Sequence, residues 1–174
     1  MTTTSAQERH TVLSLGSNLG DRLDNLQEAV DALFDAPGLD FIGLSPVYET
    51  KPVGGPEQGD FLNVVIMANS QVAPESLLER VLAIEESMDR TREVRWGPRT
   101  LDIDIVMMGD VTSDDPDLLL PHPRARERAF VLRPWCDLDP DAALPGQGRV
   151  TDLLPAVAGQ ELRRRDDLSL QPPA

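Results

Sequence analysis

The sequence predicts an α+β fold, a ferredoxin-like βαββαβ sandwich with an antiparallel sheet and C-terminal additions. Three observations carry that expectation. Apolar residues switch between a period of two and steps of three and four in the order strand, helix, strand, strand, helix, strand. Glycine and proline punctuate most of the switches. A chain of 174 residues suits one core better than two. Residues 1–174 therefore read as a single domain, with 1–9 and about 163–174 as polar, mobile tails.

Thr11 to Leu15 is a short apolar run ended by Gly16, the pattern of a buried strand. GSNLGD follows. It lacks the glycine spacing of a dinucleotide loop and the G-K-[ST] ending of a phosphate loop, so it reads as a turn with Asn18 or Asp21 capping the next helix. Leu23, Leu26, Val30 and Leu33 line one face of that helix, and Pro37-Gly38 closes it. Leu39 to Glu49 and Phe61 to Val72 read as strands joined by a Gly/Pro-rich loop, TKPVGGPEQGD. The second helix starts with Pro74 in its first turn and carries Leu77, Leu78, Val81, Leu82, Ile84 and Met88. An arginine-rich loop leads to the strand Leu101 to Met108, which stops at Gly109-Asp110. The remainder reads as a short helix, another apolar segment and a Pro/Gly-rich finish.

Composition narrows the function. The net charge of −14 repels a phosphate backbone and an anionic bilayer, which argues against general nucleic-acid or membrane binding. The single cysteine, Cys136, excludes an intrachain disulfide and a cysteine-cluster metal site, and its apolar flanks favour a buried structural thiol. The opening MTTTSAQERH lacks the apolar core of a signal peptide, and no apolar run reaches the ~18–20 residues of a membrane span. The expectation is a cytoplasmic monomer acting on small molecules.

The chemistry concentrates in RWGPRTLDIDIV, residues 95–106. Strand alternation sends Leu101, Ile103 and Ile105 one way, and Asp102 and Asp104 the other. The two carboxylates then stand roughly 6–7 Å apart at the backbone, within reach of one hard cation or a close pair. Alone, such a pair reads first as a solvated strand face. Arginine shifts the reading: Arg90, Arg92, Arg95, Arg99, Arg124, Arg126, Arg128 and Arg133 are eight of the sixteen basic residues, packed into twenty positions. Metal bridging and guanidinium forks are what polyphosphate transfer requires. His122, in LLPHPR, reads either as structural or as a phosphate donor. Phe61, Asn63 and Trp96 offer aromatic faces and an amide edge to a flat heterocycle, although the two aromatics also read as core.

LSLGSNLGDR, SPVYETKPVG, DFLNVV, RWGPRTLDIDIVMMGD and LPHPRARERAFVLRP together resemble the 6-hydroxymethyl-7,8-dihydropterin pyrophosphokinase family over about residues 11–145. The resemblance implies a ferredoxin-like fold and transfer of pyrophosphate from ATP to 6-hydroxymethyl-7,8-dihydropterin in folate biosynthesis, releasing AMP. It implies two Mg2+ ions on Asp102 and Asp104, with ATP as co-substrate. Arg90, Arg92 and Arg99 would serve turnover in or beside a catalytic loop. Arg92, Arg99, His122, Arg128 and the backbone near Ile105 would contact ATP. Thr50, Pro52, Val53, Phe61, Asn63, Trp96 and Phe130 would form the pterin pocket, with Phe61 and Phe130 stacking on the ring. Two other classes compete: a nucleotidyl cyclase or polymerase-palm-like two-metal enzyme, which would release pyrophosphate, and a non-catalytic nucleotide-binding module, which would bind ATP without turnover.

Overall fold

The first apolar run becomes the middle of a sheet. The computed structural model describes residues 8–52, 59–88 and 100–173. Strand β1 (Arg9–Ser17) pairs antiparallel with β4 (Phe61–Ser70) on one side and β5 (Asp102–Met108) on the other. The far edge of β4 is shared by β2 (Leu39–Leu44) and β3 (Tyr48–Thr50), both antiparallel to it. Sequence reads residues 39–49 as one strand; the structure divides it at Ser45-Pro46. Pro46 has no N–H to give the ladder. Ser45 compensates by donating its own N–H to the Val65 carbonyl (2.9 Å) and accepting the Val65 N–H on its hydroxyl (2.8 Å).

Helix α1 (Arg22–Asp35) starts at Asp21, whose carboxylate accepts the Asp24 N–H at 3.2 Å, so the capping choice falls on Asp21. Leu26, Ala29, Val30 and Leu33 form its buried stripe. Helix α2 (Pro74–Met88) buries Leu77, Val81 and Ile84 beside it. Arg80 of α2 reaches the end of α1, donating to the carbonyls of Leu33 (3.1 Å) and Pro37 (2.7 Å), which closes carbonyls the helix leaves unpaired. Gly38 then turns the chain at φ +100°, where an added Cβ would stand 2.5 Å from Val72.

These helices cover one face of the sheet, packing on Leu13, Leu15, Leu62, Val64, Ile66, Ile103 and Ile105. The C-terminal third covers part of the other. Helix α3 (Ala129–Leu138) buries Val131, Leu132, Trp135 and Cys136 against Val12, Val65, Met67 and Met107. Helix α4 (Val150–Leu153) and a 3-10 turn close this second core through Val150 and Val157. The result is a βαββαβ sandwich with helices on both faces, the second layer coming from the additions. Two small hairpins complete it: β6 (Ser113–Asp115) with β7 (Leu118–Leu120), and β8 (Ala143–Leu144) with β9 (Gly148–Arg149). Among the described residues no helix is long and apolar enough to cross a membrane.

The segment that composition presents as a C-terminal tail docks on the sheet. Strand β10 (Arg163–Arg164) pairs with β3, Leu168 and Leu170 pack on the first core, and Gln171 exchanges two hydrogen bonds with Gln27 of α1 (2.8 and 3.0 Å). The anchor is Glu49, a buried carboxylate of β3 held by Arg22 (2.6 Å), Arg165 (2.9 Å) and Arg163. A polar tail is enough to dock because three guanidiniums meet one desolvated carboxylate.

Burial pushes the Glu49 carboxyl up, but hydrogen bonds from Arg22, Arg163 and Arg165 outweigh it and hold the group at about 2, against an ordinary value of 4.5. A folded pKa below the unfolded one stabilises the fold above pH ~4.5, and that contribution is lost as pH falls towards 2. Glu49→Gln is therefore expected to cost roughly 2–4 kcal/mol at pH 7 and to flatten the loss of stability on acidification across that window. Urea midpoints measured between pH 7 and pH 2 check both; parallel curves for variant and parent would refute the assignment.

Candidate active site

The acids of β5 owe their direction to strand alternation. Ile103 and Ile105 enter the core under α1 and α2, so Asp102 and Asp104 face the opposite side. Helix α3 covers that side over the part carrying Val12, Val65, Met67 and Met107, and through Asp137 it reaches Tyr48 of β3. Towards the end of β1 the same face bears Ser14 and Gly16, with Asn63 and Phe61 beside them on β4, and Tyr48 and Thr50 beyond on β3.

Register fixes how these groups line up. Gly16 is paired with Asn63 on one side and with Asp102 on the other; Ser14 is paired with Val65 and Asp104. Adjacent strands lie about 4.8 Å apart, so Asn63 and Asp102 stand about 10 Å from each other with a glycine between them. A side chain there would crowd its neighbours: a Cβ would sit 3.1 Å from Asn63 Oδ1 and 3.4 Å from Phe61 Cδ1. Asn63 is buried and oriented, its Nδ2 donating to Thr50 Oγ1 at 2.8 Å. That bond leaves Oδ1 and one N–H for the edge of a ring. Phe61 pairs across the strands with Thr50.

The turn GSNLGD shapes the approach to this strip. Asn25 of α1 donates to Ser17 Oγ (3.2 Å) and the Leu19 carbonyl (2.8 Å), which supports the reading of the motif as a structural turn. Asn18 donates to the Gly59 carbonyl at 3.1 Å, joining the turn to the segment entering β4.

A basic wall stands over the acids. The His122 N–H bonds the Val106 carbonyl at 2.8 Å, beside the irregularity in the β1–β5 ladder, and so fixes LPHPR against β5. Arg128 Nη1 lies 3.2 Å from Asp104 Oδ2, and His122 Nε2 lies 3.7 Å from Asp104 Oδ1. Burial lowers the His122 pKa; Asp104 pulls it up, while Arg128 and Arg124 push it down again. The neutral ring accepts the Arg124 N–H on Nδ1 (3.2 Å), which leaves its proton on Nε2, the atom turned to the acids. Arg128 also lies 5.5 Å above the Phe130 ring, a cation–π contact at the start of α3. Gln160 steadies that start, accepting the Ala129 N–H (2.9 Å) and donating to the Glu127 carbonyl (2.7 Å).

Thus Thr50, Phe61, Asn63, Asp102 and Asp104 share one face, and His122 and Arg128 reach its acidic end. Pro52 follows β3, half-buried. Phe130 packs partly into the second core. The Ile105 side chain enters the first core, so only its backbone is available to a ligand. Val53, Arg90, Arg92, Trp96 and Arg99 lie outside the described residues. Gly16 and Gln160 were not singled out from sequence. The alternation Val12, Ser14, Gly16, shrinking along one face, is the signal that points to the first; Gln160 gives none, because its partners are thirty residues away.

Residues 12–140 match the family described as 7,8-dihydro-6-hydroxymethylpterin-pyrophosphokinase (HPPK). A Mycobacterium tuberculosis protein named 2-amino-4-hydroxy-6-hydroxymethyldihydropteridine pyrophosphokinase is 42% identical over 173 residues, covering 94% of this chain and 90% of its own. A Pseudomonas aeruginosa protein of the same name is 40% identical over 152 residues, covering 87% and 94%. Among solved structures, wild-type Plasmodium falciparum HPPK-DHPS superposes with a TM-score of 0.66 at 16% identity. It covers 88% of this chain, which spans 45% of the length of that one, and at that identity it bears on fold alone.

Gly16→Val is expected to force Asn63 and Phe61 off the floor of the site and to cost ~1–3 kcal/mol through overpacking. Urea unfolding checks this; an unchanged midpoint would contradict the close approach at Gly16.

Proposed function

We infer the mechanism from one premise: the chain belongs to the 7,8-dihydro-6-hydroxymethylpterin-pyrophosphokinase family. Its reaction is the transfer of pyrophosphate from ATP to 6-hydroxymethyl-7,8-dihydropterin in folate biosynthesis, with AMP as the other product. One observation carries the assignment of that reaction to this face. An oriented amide, Asn63, and one carboxylate of the pair, Asp102, lie in a single register row, about 10 Å apart and separated only by Gly16, with Asp104 in the next row on the same face.

The amide end suits the pterin. Asn63 offers an acceptor and a donor to the ring edge, Thr50 holds the amide, and Phe61 supplies a face for stacking. By motif, Pro52, Val53, Trp96 and Phe130 complete the pocket. The acidic end suits the phosphates. Asp102 and Asp104 are two hard oxygen donors on one strand face, a set that fits Mg2+ with phosphate and water filling its shell. We assign them two Mg2+ ions, which when bound would neutralise phosphate charge and orient the polyphosphate. His122 Nε2–H and the Arg128 guanidinium donate to phosphate oxygens from the opposite wall.

With the ring held at Asn63, the hydroxymethyl oxygen points along the row towards the acids. It attacks the β-phosphorus in line; the bond from that phosphorus to the α,β-bridging oxygen breaks, and the hydroxyl proton passes to water. AMP leaves with the bridging oxygen. By motif, Arg90, Arg92 and Arg99 stabilise charge on the transferred and leaving groups. A loose transition state asks little of a general base. We further place the enzyme in the cytoplasm as a monomer; the buried free Cys136 and the net charge of −14 support that reading.

Incubation with ATP, magnesium and hydroxymethyl-dihydropterin, followed by chromatography, is expected to yield AMP and pterin diphosphate only when both substrates are present. Pyrophosphate release would favour a cyclase-like or palm-like enzyme, and binding without turnover a nucleotide-binding module. Asp102→Asn is expected to remove at least 100-fold of the magnesium-dependent kcat with the fold retained. Near-parental activity in that variant would end the metal assignment.

A further inference from the structure

The arginine run RRRDD at residues 163–167 has no part in the chemistry above, yet the structure gives all three arginines work. Strand β10 sets Arg163 opposite Glu49 and Arg164 opposite Tyr48, and the Arg165 N–H extends the pairing to the Val47 carbonyl at 2.8 Å. Alternation splits the run between faces. Arg163 and Arg165 bind Glu49 beneath the sheet. Arg164 lies on the other side, 3.7 Å from Asp137, the carboxylate that also accepts the Tyr48 hydroxyl and pairs with Arg133 at 2.9 Å. The C-terminal strand therefore grips β3 from both faces.

The position of that grip matters. Glu49 immediately precedes Thr50, and Asp60 immediately precedes Phe61. Arg22 Nη1 donates to both, to the Glu49 carboxylate at 2.6 Å and to the Asp60 carbonyl at 2.9 Å. One guanidinium thus bridges the two ends of the segment joining β3 to β4, just beneath the cross-strand pair Thr50–Phe61. Arg163 and Arg165 fix the carboxylate that Arg22 uses as its anchor. Thr50 in turn orients Asn63.

We propose that the C-terminal arginine strand is a positioning element for pterin recognition, acting through Glu49 and Arg22 to hold Thr50, Phe61 and Asn63 in register. It rests on the assignment of those three residues to the pterin. Arg163, Arg165, Glu49 and Arg22 are positioning residues that touch no substrate. Their effect falls on the pterin end of the site because β10 pairs with β3, whereas Asp102 and Asp104 sit on β5 at the opposite end of the strand order.

The test uses the full chain and steady-state kinetics with each substrate varied in turn. Arg163→Ala/Arg165→Ala is expected to raise the pterin KM roughly tenfold, the change that loss of one charge-assisted contact produces, with kcat and the ATP KM within about twofold of the parent. Arg163→Lys/Arg165→Lys keeps charge and a donor and is expected to recover most of the loss. Should the double alanine variant fail to fold, Arg163→Ala alone, the most exposed of the contacts, is read by the same split. Asn63→Ala serves as reference. If it raises the pterin KM while the arginine variants leave it unchanged, the strand has no positioning role. If kcat falls and both KM values rise together, the role is structural only, and the proposal is overturned. If Asn63→Ala itself leaves the pterin KM unchanged, the pocket assignment fails and takes the proposal with it.

Discussion

Three strands meet at Gly16, and everything at the site depends on that meeting. Because Gly16 is opposite Asn63 in one ladder and opposite Asp102 in the other, the amide proposed for the ring and a carboxylate proposed for the metal share one row. Side chains along a strand alternate faces, so a slip of a single residue in either ladder would send the amide or the acids into the core. The pleat supplies the insurance against a slip. Leu13, Leu15, Val64, Ile66, Ile103 and Ile105 are all buried on the reverse face, and exposing them would cost far more than any polar contact at the site returns. The hydrophobic core thereby sets the geometry of the chemistry.

Charge is handled by a second constraint. Two carboxylates on one strand face repel each other, and β5 can carry them because Arg128 and His122 are brought within 3.2 and 3.7 Å of Asp104. In the proposed reaction the same wall would donate to phosphate, so the groups that offset the acids are those that would receive the substrate's charge. The burial that lowers the His122 pKa favours a neutral donor there, which avoids adding a further cation to a wall already rich in arginine. On the opposite edge of the sheet the logic is inverted. One buried acid, Glu49, gathers three arginines and joins the C-terminus to the strand that carries Thr50, beside Asn63 and Phe61.

Much of this is legible in the sequence because period is a local signal. The alternation in TLDIDIV places the acids opposite the core without any tertiary knowledge, and the stripe of Leu26, Val30 and Leu33 gives α1. The family resemblance adds candidate residues that no local pattern singles out, Thr50 and Phe130 among them. What escaped is non-local. Pro46 divides a strand that hydrophobicity presents as continuous, and only the ladder shows how Ser45 replaces the missing bond. Residues 163–173 are polar and rich in charge, the composition of a free tail, yet they dock because their partner is a single buried glutamate more than a hundred positions earlier. Gly16 reads as a strand terminator until its two neighbours are known.

The most direct test of the shared row is a crystal structure of the chain with hydroxymethyl-dihydropterin, a non-hydrolysable ATP analogue and Mn2+, whose anomalous signal locates the metal. Manganese is expected on the Asp102 and Asp104 carboxylates and the pterin edge on Asn63, with Gly16 beneath the hydroxymethyl group. Metal bound away from those aspartates, or a ring seated elsewhere than on Asn63, would contradict it.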